Sequence, residues 1–137
     1  MLDNLFSSVN TLQKGLNASW LRNEVISNNI ANVDTPGFKS SRVNFEDLMA
    51  EAAGAENGGI PLAVTNDRHI PGPAADSVAN VEAQVVTDNT TEVRLDGNNV
   101  SVENEMVDLA KNSINYYATV NKINSEFKKL NTAINVS

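Results

Sequence analysis

The chain contains no cysteine, which excludes a disulfide framework and any thiolate metal site. Aromatic residues are scarce, with four Phe, two Tyr and one Trp in 137 residues, so few large side chains are available to anchor a core. There is no run of about 18 apolar residues, so no membrane-spanning helix is expected. The opening "MLDNLFSSVN" lacks the basic segment and apolar stretch of a cleavable secretory signal. If the protein leaves the cytosol, another route is expected to carry it.

Catalytic signatures are missing too. No glycine-rich phosphate loop, G-x-S-x-G elbow or zinc-protease motif is present. His69 is the only histidine, and Asp67 beside it does not complete the ligand set that a metal would need. The expectation is a non-enzymatic protein with no cofactor, metal or small-molecule substrate.

The net charge of −7 is unevenly placed. Residues 1–45 carry +1, residues 46–99 carry −8 and residues 100–137 carry 0. No basic face marks a nucleic-acid partner, and the acidic middle reads as a solvated surface. Asparagine is abundant, with 21 copies, and its side chain competes for backbone hydrogen bonds. Helices rich in it have to be held by packing.

Two long helical patterns flank that middle. Leu2, Leu5, Val9, Leu12 and Leu16 recur at steps of three and four, and the phase returns at Ile26, Ile30 and Val33. Ser19 and Asn23 fall on the seam while Trp20 and Leu21 lie beside it, which reads as a shift of register like a stutter. A helix from about Asp3 to Asn32 would be ~45 Å long. At the other end Val102, Met106, Leu109, Tyr116, Val120, Ile123, Phe127, Leu130 and Ile134 keep a 3.5-residue period interrupted at Ser113. Ser101 is the expected N-cap, with Glu103 and Glu105 in the first turns and Lys128 and Lys129 late, as the helix dipole favours.

Between the helices, residues 51–77 hold Gly59, Pro61, Pro71, Gly72 and Pro73 with little periodicity and read as loop. One or two short strands are expected further on, with Asp96–Asn98 as a turn between Val93/Leu95 and Val100/Val102. The fold class is therefore mainly α: two long terminal helices forming a coiled-coil-like bundle around an irregular middle. The divisions are 1–33 (helix), 34–45 (turn and extended segment), 46–99 (acidic, loop-rich) and 100–137 (helix).

The first helix stops at "NNIANVDTPGFKS" (28–40). Pro36 fixes φ near −65° and Gly37 accepts positive φ, as the central positions of a type II turn from Thr35 to Phe38 require. Asn32 is expected to close the helix in the left-handed region. A plain two-helix core would cover one seam per helix, which leaves Trp20, Leu21, Val25, Ile114 and Tyr117 off the seams and in need of neighbours. That surplus points to polymerisation rather than to a closed hairpin.

The run Asn28, Asn29, Ala31, Asn32, Thr35, Pro36, Gly37, Phe38 and Lys39 closely resembles the signature of bacterial flagellar axial proteins, the rod and hook subunits. Phe38 stands where tyrosine is frequent and Ser40 where alanine is. "VNFEDLM", "PLAVTNDRHIPG" and "LDGNNVSVENEMVDLAKNSINYYATVNKIN" resemble the short subunits of the proximal rod within that family. One of these, FlgC, fits less well, because it usually carries an insertion after the first asparagine motif.

The resemblance implies a structural subunit that is exported unfolded by the flagellar type III apparatus and polymerises in the periplasm as a helical tube. It implies other copies of itself as partners, together with rod subunits FlgC, FlgF and FlgG, the basal adaptor FliE, and membrane-ring or export-gate proteins beneath the rod. The assembly residues expected are Leu5, Val9, Leu12, Leu16, Ile26, Ile30, Met106, Leu109, Tyr116, Val120, Ile123, Phe127 and Leu130. The rival class is a soluble helical-hairpin module such as an export chaperone or adaptor.

Overall fold

The structure is a computed structural model that describes residues 2–58, 80–91 and 94–135, with side chains from residue 8 to residue 53 in the first segment. In chain order the elements are α1 (Leu2–Ala31), β1 (Ser41–Asn44), α2 (Glu46–Gly58), β2 (Gln84–Thr87) and α3 (Val102–Asn135). At 30 and 34 residues, α1 and α3 are about 45 and 51 Å long. They run antiparallel, because Asn29 meets Glu105 and Ser19 meets Asn112.

Hydroxyl residues inside these helices turn their donors back onto the preceding turn, a local use of polar groups that leaves the ladder intact. Ser19 donates to the Gly15 carbonyl at 2.9 Å, Ser27 to Asn23 at 2.8 Å, and Thr119 to Asn115 at 2.9 Å. Ser101 caps α3 as its type predicts: its Oγ accepts from Asn104 N at 3.5 Å, and its carbonyl takes the first helical bond from Glu105 N at 3.0 Å.

The apolar cluster draws on α1, β1, α2 and the segment before β2, with no residue from α3. Ala18 and Val25 meet Val43 and Phe45, Ala52 of α2, and Val81, with Leu21, Leu48, Met49 and Ala83 packed against them. α2 was not legible as a helix, since residues 51–58 read as loop. It forms because Phe45 is buried at its start and accepts from Met49 N at 2.8 Å, while Glu46 and Asp47 occupy the positive first turn. An ion pair from Arg22 to Glu46 ties α2 to α1. Lys14 Nζ donates to the Val81 carbonyl at 3.1 Å and fixes the returning segment to the same face.

A short strand, β2, falls where one or two were expected, but its pairing differs from a hairpin around Asp96–Asn98. β1 pairs antiparallel with β2, Ser41 opposite Thr87 and Asn44 opposite Gln84, so the pairing joins the segment after the corner to the end of the middle region. Residues 94–100 form no strand; Gly97 N donates to Arg94 O at 3.0 Å in a tight turn instead. Leu95 projects fully into solvent, without the cross-strand neighbour that a hairpin needs. Val93 and His69 lie outside the described residues.

Candidate assembly interface

The corner after α1 folds as its sequence predicts at Thr35–Phe38. Phe38 N donates to Thr35 O at 3.2 Å, and Gly37 takes φ +71°, which only glycine adopts without strain. The expectation for Asn32 was wrong: no described residue other than glycine has positive φ. The helix instead unwinds through ordinary turns, with Asn32 N shared between Asn28 O (3.1 Å) and Asn29 O (3.2 Å). Its carbonyl end needs no left-handed cap because a distant side chain supplies one.

That side chain is Asn98, fully buried. Its amide donates to the carbonyls of Asn32 (3.0 Å), Val33 (3.0 Å) and Thr35 (2.9 Å), while its Oδ1 accepts from Val100 N at 2.7 Å. Arg94 adds a bond to Val33 O at 3.1 Å and faces Asp34 and Asp96. Asp96 O takes Gly37 N at 2.9 Å. Gly97, with φ +79°, brings its backbone against Gly37, where an added Cβ would lie 3.6 Å from the Gly37 Cα.

Asn99 does the equivalent for the sheet. Its Oδ1 accepts from Ser40 N at 2.6 Å and its amide donates to Asp88 O at 2.9 Å, so one side chain spans the start of β1 and the end of β2. Asp88 in turn gathers Thr90 N (3.0 Å), the Thr90 hydroxyl (2.8 Å) and the Thr91 hydroxyl. The Thr91 hydroxyl, followed by the Thr90 amide, holds this carboxyl well below the usual range.

Asn29 joins three elements. Its Oδ1 accepts from Ser41 N at 3.0 Å and its Nδ2 donates to Ser41 O at 2.8 Å, as a neighbouring strand would. The same amide reaches Glu105 Oε1 at 3.1 Å. Burial pushes the Glu105 carboxyl up, opposed by the Asn29 bond and Arg42 and reinforced by Asp108.

The remaining signature residues have plainer positions. Asn28 and Ala31 are exposed; Asn32 Nδ2 bonds back to Asn28 O at 2.9 Å and Thr35 Oγ1 donates to Asn32 Oδ1 at 3.3 Å. Pro36 is exposed and Phe38 half-buried, and Lys39 Nζ donates to Thr91 O at 3.2 Å. The corner is legible in the sequence; its clasp is not. The consecutive asparagines after Asp96–Gly97 were its visible signal.

Along the α1–α3 seam, Ile26 is buried, and Val9, Leu12, Leu16, Ile30, Leu109, Val120, Ile123 and Leu130 are half-buried. Met106, Tyr116 and Phe127 are exposed by 53%, 36% and 54%; the side chain of Leu5 is outside the described set. Among the described residues of α3 only Asn112 and Glu126 are buried. Asn112 Nδ2 donates to Ser19 O at 2.8 Å across the seam, and its Oδ1 is buried without a partner. Glu126 sits between Lys129 (2.9 Å) and Lys122 (3.3 Å), and those bonds hold its carboxyl below the ordinary range.

Of the five off-seam residues, Leu21 and Val25 pack into the cluster, but Trp20, Ile114 and Tyr117 stay 66%, 69% and 67% exposed. Among the described residues no three His, Asp or Glu side chains are grouped as a metal site, and no described helix is long and apolar enough to cross a membrane. The surface offers contacts, in the manner of a helical structural subunit.

Comparison with known proteins identifies which kind. The family model for flagella basal body rod proteins matches residues 9–39, which span most of α1 and the corner. Over 131 residues the chain is 35% identical to the flagellar basal body rod protein FlgB of Bacillus subtilis, covering 95% of each chain. It is 33% identical to FlgB of Salmonella typhimurium, covering 93% of each. FlgB of Borreliella burgdorferi is 31% identical over 128 residues, covering 93% of this chain and 95% of that one. The chain belongs to the FlgB family of flagellar basal body rod proteins.

Proposed function

We propose that this chain, a structural subunit of the flagellar basal body rod, occupies the proximal rod and polymerises there through α1 and α3. The single observation carrying this reading is the apolar surface left open on α3: Met106, Val107, Ile114, Tyr117, Phe127 and Ile134 are all more than half exposed. Each such side chain contributes roughly 1.5 to 3 kcal/mol when enclosed, so neighbouring subunits gain by covering them.

In this arrangement the helices, residues 1–33 and 100–137, build the wall of a helical tube around the export channel, and packed seams make it stiff enough to transmit torque. Residues 34–45 lead out of the wall, and the segment 46–99, with its −8 charge, lies where water screens it. The subunit reaches the periplasm through the flagellar type III apparatus. It meets copies of itself, FlgC, FlgF and FlgG among rod subunits, and FliE and the membrane-ring or export-gate proteins below. Absence of cysteine suits passage through a narrow channel into an oxidising compartment.

The test substitutes Phe127→Asp, which changes a residue already exposed in the single chain, and Leu12→Asp on the facing helix. Each variant should be exported yet absent from isolated basal bodies, leaving cells immotile. Motile cells with either variant incorporated in the rod would refute the assignment of these seams.

A further inference from the structure

Asn112 forms the floor of a cleft of about 270 Å³ whose other lining residues are Ser19, Trp20, Asn23, Ser113, Tyr116 and Tyr117. The Tyr116 and Tyr117 rings stand edge to face with centroids 5.8 Å apart. Two features are unusual together. Trp20 and Tyr117 of the lining are open to water, and Asn112 is held there by its bond to Ser19 O, with its Oδ1 buried and without a donor. An aromatic lining interspersed with amides and hydroxyls is matched by an occupant that offers apolar side chains together with neutral polar ones.

All seven lining residues are uncharged, so a charged helix face would lose hydration there without gaining a partner. On this chain a stripe of uncharged side chains, bordered by Lys128, runs along the last third of α3. Asn124, Phe127, Asn131 and Ile134 follow at steps of three, four and three, which places them on one helix face. Phe127 and Ile134 are 54% and 71% exposed, and the asparagines carry amide donors. The ion-paired ladder Lys122–Glu126–Lys129 is at a different phase.

The cleft and the stripe lie on the same helix, with centres roughly 20 Å apart at 1.5 Å per residue. α3 is unbroken from Val102 to Asn135, so a chain cannot bring its own stripe into its own cleft. We propose that the cleft receives the Asn124–Ile134 stripe of a second copy of this chain. The contact joins two different surfaces of identical chains, so it repeats without closing unless a rotation closes it into a ring. This inference rests on the rod-subunit reading and names one contact within it. A single helix end is too small to reach the ~1,200 Å² of a stable pair, so the contact acts beside others in the assembled rod.

The experiment places a photoactivatable benzophenone residue at position 117 and, separately, at position 20, and irradiates isolated basal bodies. Peptide mass spectrometry should then find adducts on residues 124–134 of a second copy. Adducts confined to another rod component, to α1 of a neighbour or to the labelled chain itself would overturn the proposal. So would no adduct from either position in rods that contain the labelled protein. If neither labelled chain nor wild type is found in basal bodies, the failure belongs to the rod-subunit reading instead.

Discussion

The side-chain amide of Asn98 donates to the backbone carbonyl of Thr35 at 2.9 Å, across 63 positions of sequence. The bond joins the turn before α3 to the turn after α1, so the exit of one long helix and the entry of the other are built as one unit. Asn99 then ties the same unit to both strands. The clasp thereby fixes α1, α3 and the two strands relative to one another with hydrogen bonds where apolar area is limited.

Replacing Asn98 by alanine should destabilise the chain by about 1 to 3 kcal/mol, the cost of uncovering buried polar groups. The upper bound follows from geometry: Asn32 O keeps Thr35 N, Val33 O keeps Arg94, and Thr35 O keeps Phe38 N. Asn98→Asp should be worse at neutral pH, since a carboxylate would face three carbonyl oxygens. Its loss should shrink on acidification as the carboxyl gains a proton and becomes a donor. Urea unfolding at neutral and acid pH measures both; equal stability of Asn98→Asp and wild type at neutral pH would contradict the clasp.

Gly37→Ala isolates the backbone term. A Cβ there meets nothing within 4 Å, but φ is +71°, so the whole penalty is conformational and should be about 1 to 2 kcal/mol. Gly37→Asn should lose less, because asparagine tolerates the left-handed region better. A denaturation series in which alanine and asparagine are equally neutral would exclude a left-handed residue at this position.

Much of this design was legible in the sequence, for identifiable reasons. The long helices announce themselves through seam spacing, and the Thr35–Phe38 turn through Pro36 and Gly37, because those signals are local. The clasp and the β1–β2 pairing depend on partners dozens of residues away, and α2 depends on packing against α1 and β1. Asn98 looks like any turn asparagine until Asn32, Val33 and Thr35 arrive beside it. Residues 51–58 read as loop because Gly54, Asn57 and Gly58 weaken the helix signal, whereas Phe45 and Ala52 packing on Val25 and Val43 decides the outcome.

Glu105 should give the fold a distinctive pH response. Its carboxyl is raised above the ordinary value of 4.5, chiefly by burial, so the folded chain holds this proton more tightly than the unfolded one. The group's stabilising contribution is therefore full below pH 4.5 and is lost as pH rises through the raised folded value. Glu105→Gln keeps an oxygen for Asn29 and should abolish that decline. Parallel stability-versus-pH curves for the two proteins upward from pH 4.5 would rule this out.

Asn112→Leu separates stability from assembly. Leucine removes the orphaned Oδ1 but also the bond to Ser19 O, and such exchanges of buried polar for apolar groups are often neutral or stabilising. The variant should unfold at an equal or higher urea midpoint yet incorporate poorly into rods, because a single buried asparagine fixes register between helices. Normal incorporation with normal motility would show that register is set elsewhere.

Trp20 is the chain's only tryptophan and is 66% exposed beside Tyr116 and Tyr117 at the cleft, so its fluorescence reports that surface alone. In dilute subunit the indole should emit as a water-exposed group and be readily quenched by acrylamide. On assembly the emission should shift to the blue and quenching should fall, because a neighbour covers the ring. Phe127→Asp should suppress the change by altering the covering helix while Trp20 itself is untouched. An assembled form whose Trp20 remains as quenchable as in the subunit would place this face outside the packed wall.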